Sequence, residues 1–319
     1  MTDASQSQFV ALSGGVGGAK LALGLAEVLA PEQLTIVANT GDDFEHLGFC
    51  ISPDLDTVLY TLAGWNNTAQ GWGQEGESWQ FLDALGRLSG ETWFSLGDRD
   101  LATHVVRTNL LKQGHSLSEV IVYLAEKMNI RHAVVPMTDD RVSTRVNLQS
   151  GGSLSFQHYF VRDRCEPVVS GFEFEGIDTA LPSAGFIAAV DRADAVIVCP
   201  SNPFVSVAPV LSLPGIQDQL ADRPVVVVSN IVGGQALKGP AAKMMDELGM
   251  PTTALGVARH YRERYGELFD GFVLDRQDAA MEPEVQALGY STIVTNTVML
   301  TLQDKIELAR QVLDFTARL

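Results

Sequence analysis

The chain has 319 residues, of which 46% are hydrophobic and 19% charged, a globular composition with material for a sizeable core. Its formal net charge is −17 with no Lys/Arg run, so nucleic acid and anionic membrane are excluded as expected partners. The three cysteines (Cys50, Cys165, Cys199) have no paired spacing, residues 1–8 are polar, and no apolar run reaches transmembrane length; the expected location is the cytoplasm.

Residues 9–12 form a short apolar run ending in Ser-Gly-Gly, which predicts a buried strand. Residues 19–29 carry apolar side chains at Leu21, Leu23, Leu25, Ala26 and Leu29 with Pro31 beyond, a helix with a stop signal. Residues 34–38 give the second strand. The opening β–glycine loop–α–β begins a Rossmann-like, doubly wound α/β fold with a mostly parallel sheet. Residues 39–53 read as a polar loop. Helices are predicted over 54–63, 78–88, 101–112 and 117–128, the last with Ser116 and Glu119 spaced as a capping box. Residues 133–136 are a strand. From about 144 to 176 the alternation of 153–158 and 168–175 about Gly151-Gly152 predicts a small antiparallel insertion within one domain spanning 1–319. Parallel texture returns with the continuous apolar runs 195–199 and 225–229, and helices follow at 241–248 and 301–315.

Five segments carry chemistry. Gly14, Gly15, Gly17 and Gly18, followed by Lys20, lie between a strand and a helix, where backbone N–H groups and the helix N-terminus can cradle phosphate. The pattern is neither G-x-G-x-x-G nor a Walker A loop, because Lys20 and Ala19 stand where those motifs need glycine. A packing turn is the plain alternative. Asp42 and Asp43 follow the second strand at the sheet's carboxyl edge, and two adjacent carboxylates suit a hard cation such as Mg²⁺. Asp54 and Asp56 lie two apart at a helix start, so one can cap while the other turns inward. The stretch Leu96-Gly97-Asp98-Arg99-Asp100 runs on to His104, with Arg99 able to pair with phosphate and His104 able to face a ligand. Ser201 and Asn202 follow the strand 195–199, and Asn202 has the donor and acceptor to read a base or ribose.

Taken in order, SGGVGGAK, NTGDD, SPDLDTVLYTLAG, LGDRDLATH, PMTDD and PSNP followed by LPGI resemble the CofD/FbiA family, over residues 13–216. The resemblance implies a transferase of coenzyme F-420 biosynthesis. Its donor is a guanosine diphosphate ester of a small acid (lactate, enolpyruvate or glycerate type). Its acceptor is the ribityl hydroxyl of the deazaflavin Fo, and GMP is released. It implies Mg²⁺ on Asp56 with Asp42 or Asp43, catalytic roles for Asp56, Asp43 and Arg99, and a homodimer. Substrate contacts are implied for Gly14, Gly15, Gly17, Gly18, Lys20, Asp56, Ser95, Asp98, His104, Ser201 and Asn202. Ser95 stands where some members have a basic residue. The competing reading is a non-enzymatic nucleotide-sugar-binding regulator of the YvcK type, which shares the glycine-rich opening; SPDLDT and GDRDLATH favour the transferase.

Overall fold

A computed structural model describes residues 7–236 and 239–319. Most of the polar start, residues 1–6, lies outside the described residues. The main sheet has seven strands among those described, numbered here in chain order: β1 Phe9–Ser13, β2 Leu34–Ala38, β3 Ala133–Pro136, β4 Ala195–Val198, β5 Val225–Val228, β6 Gly271–Asp275 and β7 Ser291–Thr295. All neighbours are parallel, in the order β3-β2-β1-β4-β5-β6-β7. The winding direction therefore reverses between β1 and β4, the doubly wound arrangement that the opening predicts.

The strands are continuously apolar because both faces are covered. Ala11, Ile36, Ile197 and Val226 face a layer built from α1 (Gly15–Val28), α2 (Pro53–Ala63), α5 (Leu117–Lys127) and the last helix, Leu302–Thr316. Val10, Leu12, Val196 and Val227 face the opposite layer, which includes α6 (Ala184–Arg192) and the helix Ala254–Tyr265. Two further helices, α3 (Gln80–Arg87) and α4 (Asp98–Lys112), lie between α2 and α5 in sequence. Ser116 and Glu119 form the predicted capping box on α5.

Several local expectations change. Helix α1 begins at Gly15, not residue 19, so the glycines make its first turn rather than a loop. The segment 39–53 contains an antiparallel hairpin, Phe44–His46 with Phe49–Ile51, whose turn residues Leu47 (φ 54°) and Gly48 (φ 77°) are both left-handed. That geometry matches the twist of a tight hairpin, but a leucine there gives no composition signal. The antiparallel strands Ser143–Leu148, Ser153–Ser155 and Val169–Glu175 form their own sheet with the first in the middle. The run expected to stay extended to residue 158 leaves the strand after Ser155 and winds into the π-helix His158–Arg162. Ser155 Oγ accepts the His158 N–H at 3.5 Å and so turns the chain. No helix among the described residues is long and apolar enough to cross a membrane.

Candidate active site

A cavity of about 710 Å³ opens at the carboxyl ends of the strands, where β1 and β4 part. That volume is in the range of small-molecule sites, roughly 300–1,000 Å³, and the place is where open α/β sheets bind ligands. The first turn of α1 contributes Gly14, Gly15, Val16, Gly17 and Lys20. Pro200, Ser201 and Asn202 follow β4, Ser229 and Asn230 follow β5, and residues 297–300 follow β7. On the β2 side stand Asp42, Asp54 and Thr57.

Each glycine of the opening has its own reason. Gly15 has φ +64°, a conformation that L side chains rarely adopt. A Cβ on Gly14 would meet Ser206 Cβ at 2.4 Å, and one on Gly17 would meet the Pro200 carbonyl oxygen at 2.4 Å. Gly18 is buried and faces Ser13 and Ser201. Close packing thus explains much of the glycine content, and it draws the N-terminal turn of α1 down against the strand ends. The turn's N–H groups lack intrahelical partners and carry the positive end of the helix dipole. Gly15 N–H is taken by Asp54 Oδ1 at 2.6 Å, and Gly14 N–H by Ser201 Oγ at 3.1 Å.

Four aspartates crowd this turn, and the structure separates their roles. Asp42 and Asp54 line the cavity, are both buried, and both accept from the amide of Asn39, at 3.2 and 2.9 Å. Gln157 donates to Asp42 Oδ2 at 3.1 Å. Burial, then the charges of Asp54 and Asp43, push the Asp42 carboxyl well above its ordinary value. Burial also raises Asp54 to about 6, against the hydrogen bonds from Asn39 and Gly15. Asp43 turns to Ser52 Oγ (2.6 Å) and does not line the cavity; burial raises it as well, and its Oδ1 has no hydrogen-bond partner among the described residues.

Asp56 does not line the cavity either. It is buried against the fully buried Arg107 of α4, with which it forms an ion pair. His104 joins them, its Nδ1 3.6 Å from Asp56 and 3.1 Å from Arg107 Nη1, and its Nε2 3.3 Å from Asp100. Tyr60 of α2 donates its hydroxyl to Asp100 at 2.6 Å. The carboxylates of Asp56 and Asp100 and the His104 ring lie close enough to hold a metal ion. The Arg107 guanidinium already supplies the positive charge there. This network bolts α2 to α4, which sets the position of Asp54, two residues before Asp56 on α2.

The acidic and basic residues of the LGDRD stretch face away from the cavity. Asp98 accepts from the Gln80 and Phe81 N–H groups at 3.1 and 3.0 Å and so caps α3. Its hydrogen bonds to Ser78 and Phe81 hold its carboxyl below the usual range. Arg99 donates to the Glu75 carbonyl at 2.6 Å, and Glu77 accepts the N–H groups of Arg99 and Asp100 at 2.8 and 2.9 Å. A Cβ on Gly97 would meet the Glu77 carboxyl carbon at 2.2 Å, which accounts for the glycine. The stretch therefore anchors the end of the loop after α2, and that loop places Gln70, Gly71 and Trp72 on the cavity.

Of the residues expected at the site, Gly14, Gly15, Gly17, Lys20, Asp42, Ser95, Ser201 and Asn202 line the cavity; Gly18, Asp43, Asp56, Asp98, Arg99 and His104 do not. Gln157, Ser229, Asn230 and residues 297–300 line the cavity without a motif in the sequence to mark them, and Asn39, which opens the NTGDD stretch, reaches both Asp42 and Asp54. Asp54, read only as a helix-start carboxylate, is central. Trp72, Phe94, Phe156 and Phe160 form an aromatic wall, with Phe156 and Phe160 stacked at 5.4 Å. Residues after β7 had no sequence signal because the strand itself was not predicted.

The sequence model of the family described as "2-phospho-L-lactate transferase CofD" matches residues 9–307. A phosphoenolpyruvate transferase of Streptomyces griseus is 38% identical over 313 residues, covering 96% of this chain and 98% of that protein. A 2-phospho-L-lactate transferase of Methanosarcina acetivorans is 38% identical over 300 residues, covering 94% and 96%. A solved UPF0052-family structure from Bacillus halodurans shares the fold, with a TM-score of 0.67 at 14% identity over 97% of this chain and 99% of that one. The chain belongs to the CofD family and is a transferase.

Proposed function

We propose that this transferase moves a phospho-acyl group from a guanosine diphosphate ester to the ribityl hydroxyl of Fo, releasing GMP, in coenzyme F-420 biosynthesis. The observation that carries the reading is the pair Asp42 and Asp54, set against the N-terminal turn of α1 inside a cavity walled by aromatic rings. A diphosphate needs such a turn, a flat heterocycle such as Fo needs such a wall, and the two must meet at one phosphorus.

The two carboxylates fit Mg²⁺. Both are buried, both are oxygen donors, and burial raises the protonation range of each, with the charge of Asp54 adding to the rise at Asp42, which a divalent cation would reverse. When bound, the ion neutralises charge on the diphosphate. Asp42 and Asp54 would hold it, with Asn39 fixing both carboxylates. The transition state of phosphoryl transfer is loose, so positioning and charge neutralisation matter more than a strong base. The acceptor hydroxyl oxygen bonds to the acid-bearing phosphorus as the bond to the GMP oxygen breaks, and the hydroxyl proton is released to water. The N–H groups of α1 and the ammonium of Lys20 stabilise the departing charge. Ser201, Asn202, Ser229 and Asn230 supply polar groups for the guanosine, and Trp72, Phe94, Phe156 and Phe160 a stacking surface for Fo.

The test supplies Fo, GTP and each phospho-acid with a matching guanylyltransferase, and reads the product by mass spectrometry. Expected is one Fo phosphodiester, stoichiometric GMP and dependence on Mg²⁺. Binding of the guanosine ester without any GMP release would refute the reading.

A further inference from the structure

A side chamber of about 80 Å³ adjoins the main cavity and shares Val16, Lys20, Thr57, Gly71, Trp72 and Leu300 with it. Its remaining lining is Tyr60, Thr61, Asn66, Thr68, Gly73 and Lys305. Two lysines, Lys20 and Lys305, thus line one small space.

The packing of α1 on the last helix puts them there. A Cβ on Gly24 would meet the Lys305 carbonyl oxygen at 2.2 Å, so the two backbones cross in direct contact at this pair. Residues four apart share a helix face, so Lys20 is the next residue along α1 from Gly24 towards the cavity. The crossing therefore seats Lys305 beside Lys20 in the protein whose net charge is −17. Lys20 donates to the Met299 carbonyl at 3.1 Å. Lys305 is half-buried, forms no ion pair among the described residues, and burial lowers its ammonium below the ordinary lysine value. A desolvated cation without a counter-ion gains from an anion brought to it.

The chamber opens at Val16 and Thr57, beside the turn of α1 and one turn along α2 from Asp54. An ester whose diphosphate lies on that turn carries its acid on the terminal phosphorus, within reach of the chamber. We propose that this chamber is the acid subsite, in which Lys305, with Lys20, takes the carboxylate of the donor's small hydroxy-acid. The inference rests on the proposed transferase reading. It makes Lys305 a specificity residue on a helix that the cavity otherwise does not use.

The test compares two guanosine diphosphate esters by calorimetry: the lactyl ester and the ethyl ester, which differ by the carboxylate. Wild type is expected to bind the lactyl ester at least tenfold more tightly. Lys305→Met is expected to shrink that ratio to about twofold, with Lys305→Arg restoring most of it and GDP binding alike to all three. A Lys305→Met protein that binds GDP normally and keeps the full ratio would overturn the subsite, as would a wild type with no preference. GMP release, followed separately with Fo, reports on the transferase reading. Preference for the lactyl ester without GMP release would leave the subsite standing and refute the reaction.

Discussion

Asp54→Asn separates a functional carboxylate from a structural one. A carboxyl held at about 6 instead of its ordinary 3.8 carries about 3 kcal/mol of unfavourable free energy once ionised, at ~1.4 kcal/mol per pH unit. The substitution removes that term and relieves Asp42, whose own raised value owes part of its shift to Asp54. Against this, an asparagine has one acceptor oxygen where Asp54 has two, so it cannot keep both the Gly15 bond at Oδ1 and the Asn39 bond at Oδ2, and the lost bond costs about 1–3 kcal/mol. The terms nearly cancel. In EDTA at pH 7.5, therefore, Asp54→Asn is expected to melt within about 1–2 kcal/mol of wild type. Activity with Fo and the guanosine ester is expected to fall at least a hundredfold, and the rise in melting temperature on adding Mg²⁺ is expected to vanish. A variant that keeps its Mg²⁺ response and turnover would refute the site assignment. A variant that unfolds in EDTA would refute the burial argument.

The remaining predictions follow from the same geometry. Asp42, Asp43 and Asp54 all have raised values, so these three carboxyls contribute stability that is lost as the pH rises from about 4 through about 6, while His46, His158 and His260, all lowered by burial, work in the opposite sense. Metal-free wild type should therefore lose stability relative to Asp54→Asn across that range, and Mg²⁺ should remove the difference; calorimetric melts of both proteins check the sign. Asp56→Ala should cost about 3–5 kcal/mol in urea denaturation, because it strands the buried Arg107 guanidinium, and Asp56→Leu with Arg107→Met should recover much of it. Unchanged stability with loss of the Mg²⁺ response would instead return Asp56 to the metal site. Gly17→Ala should destabilise by about 1–3 kcal/mol and weaken GDP binding, because the Pro200 carbonyl that it meets at 2.4 Å is backbone and cannot step aside. Wild-type GDP affinity in that variant would show that the turn does not carry the diphosphate.

The sequence by itself determined the fold class, the family and the edge of the sheet where the cavity opens. Runs such as Val225–Val228 can only be buried strands, and a strand, glycines and an apolar helix in succession have one economical winding. Helix ends with side-chain caps, such as Ser116 with Glu119, were legible because capping is local. The direction each carboxylate faces was not, because helix faces gain meaning only once a neighbour is known. Asp54 and Asp56 are two apart on α2, and the sequence treats them alike. Tertiary packing turns Asp54 onto Gly15 and Asn39 in the cavity and Asp56 onto Arg107, fifty-one residues away. Likewise Asp98 and Arg99, dense with charge in a site-like stretch, are spent on capping α3 and anchoring a loop. Lys305 carries no signal in the sequence, since the packing of α1 on the last helix, closest at Gly24, is what brings it to Lys20. Local chemistry is written in short windows of sequence. Which groups share one space is decided by long-range packing, and here it puts Asp54, and not Asp56, on the cavity.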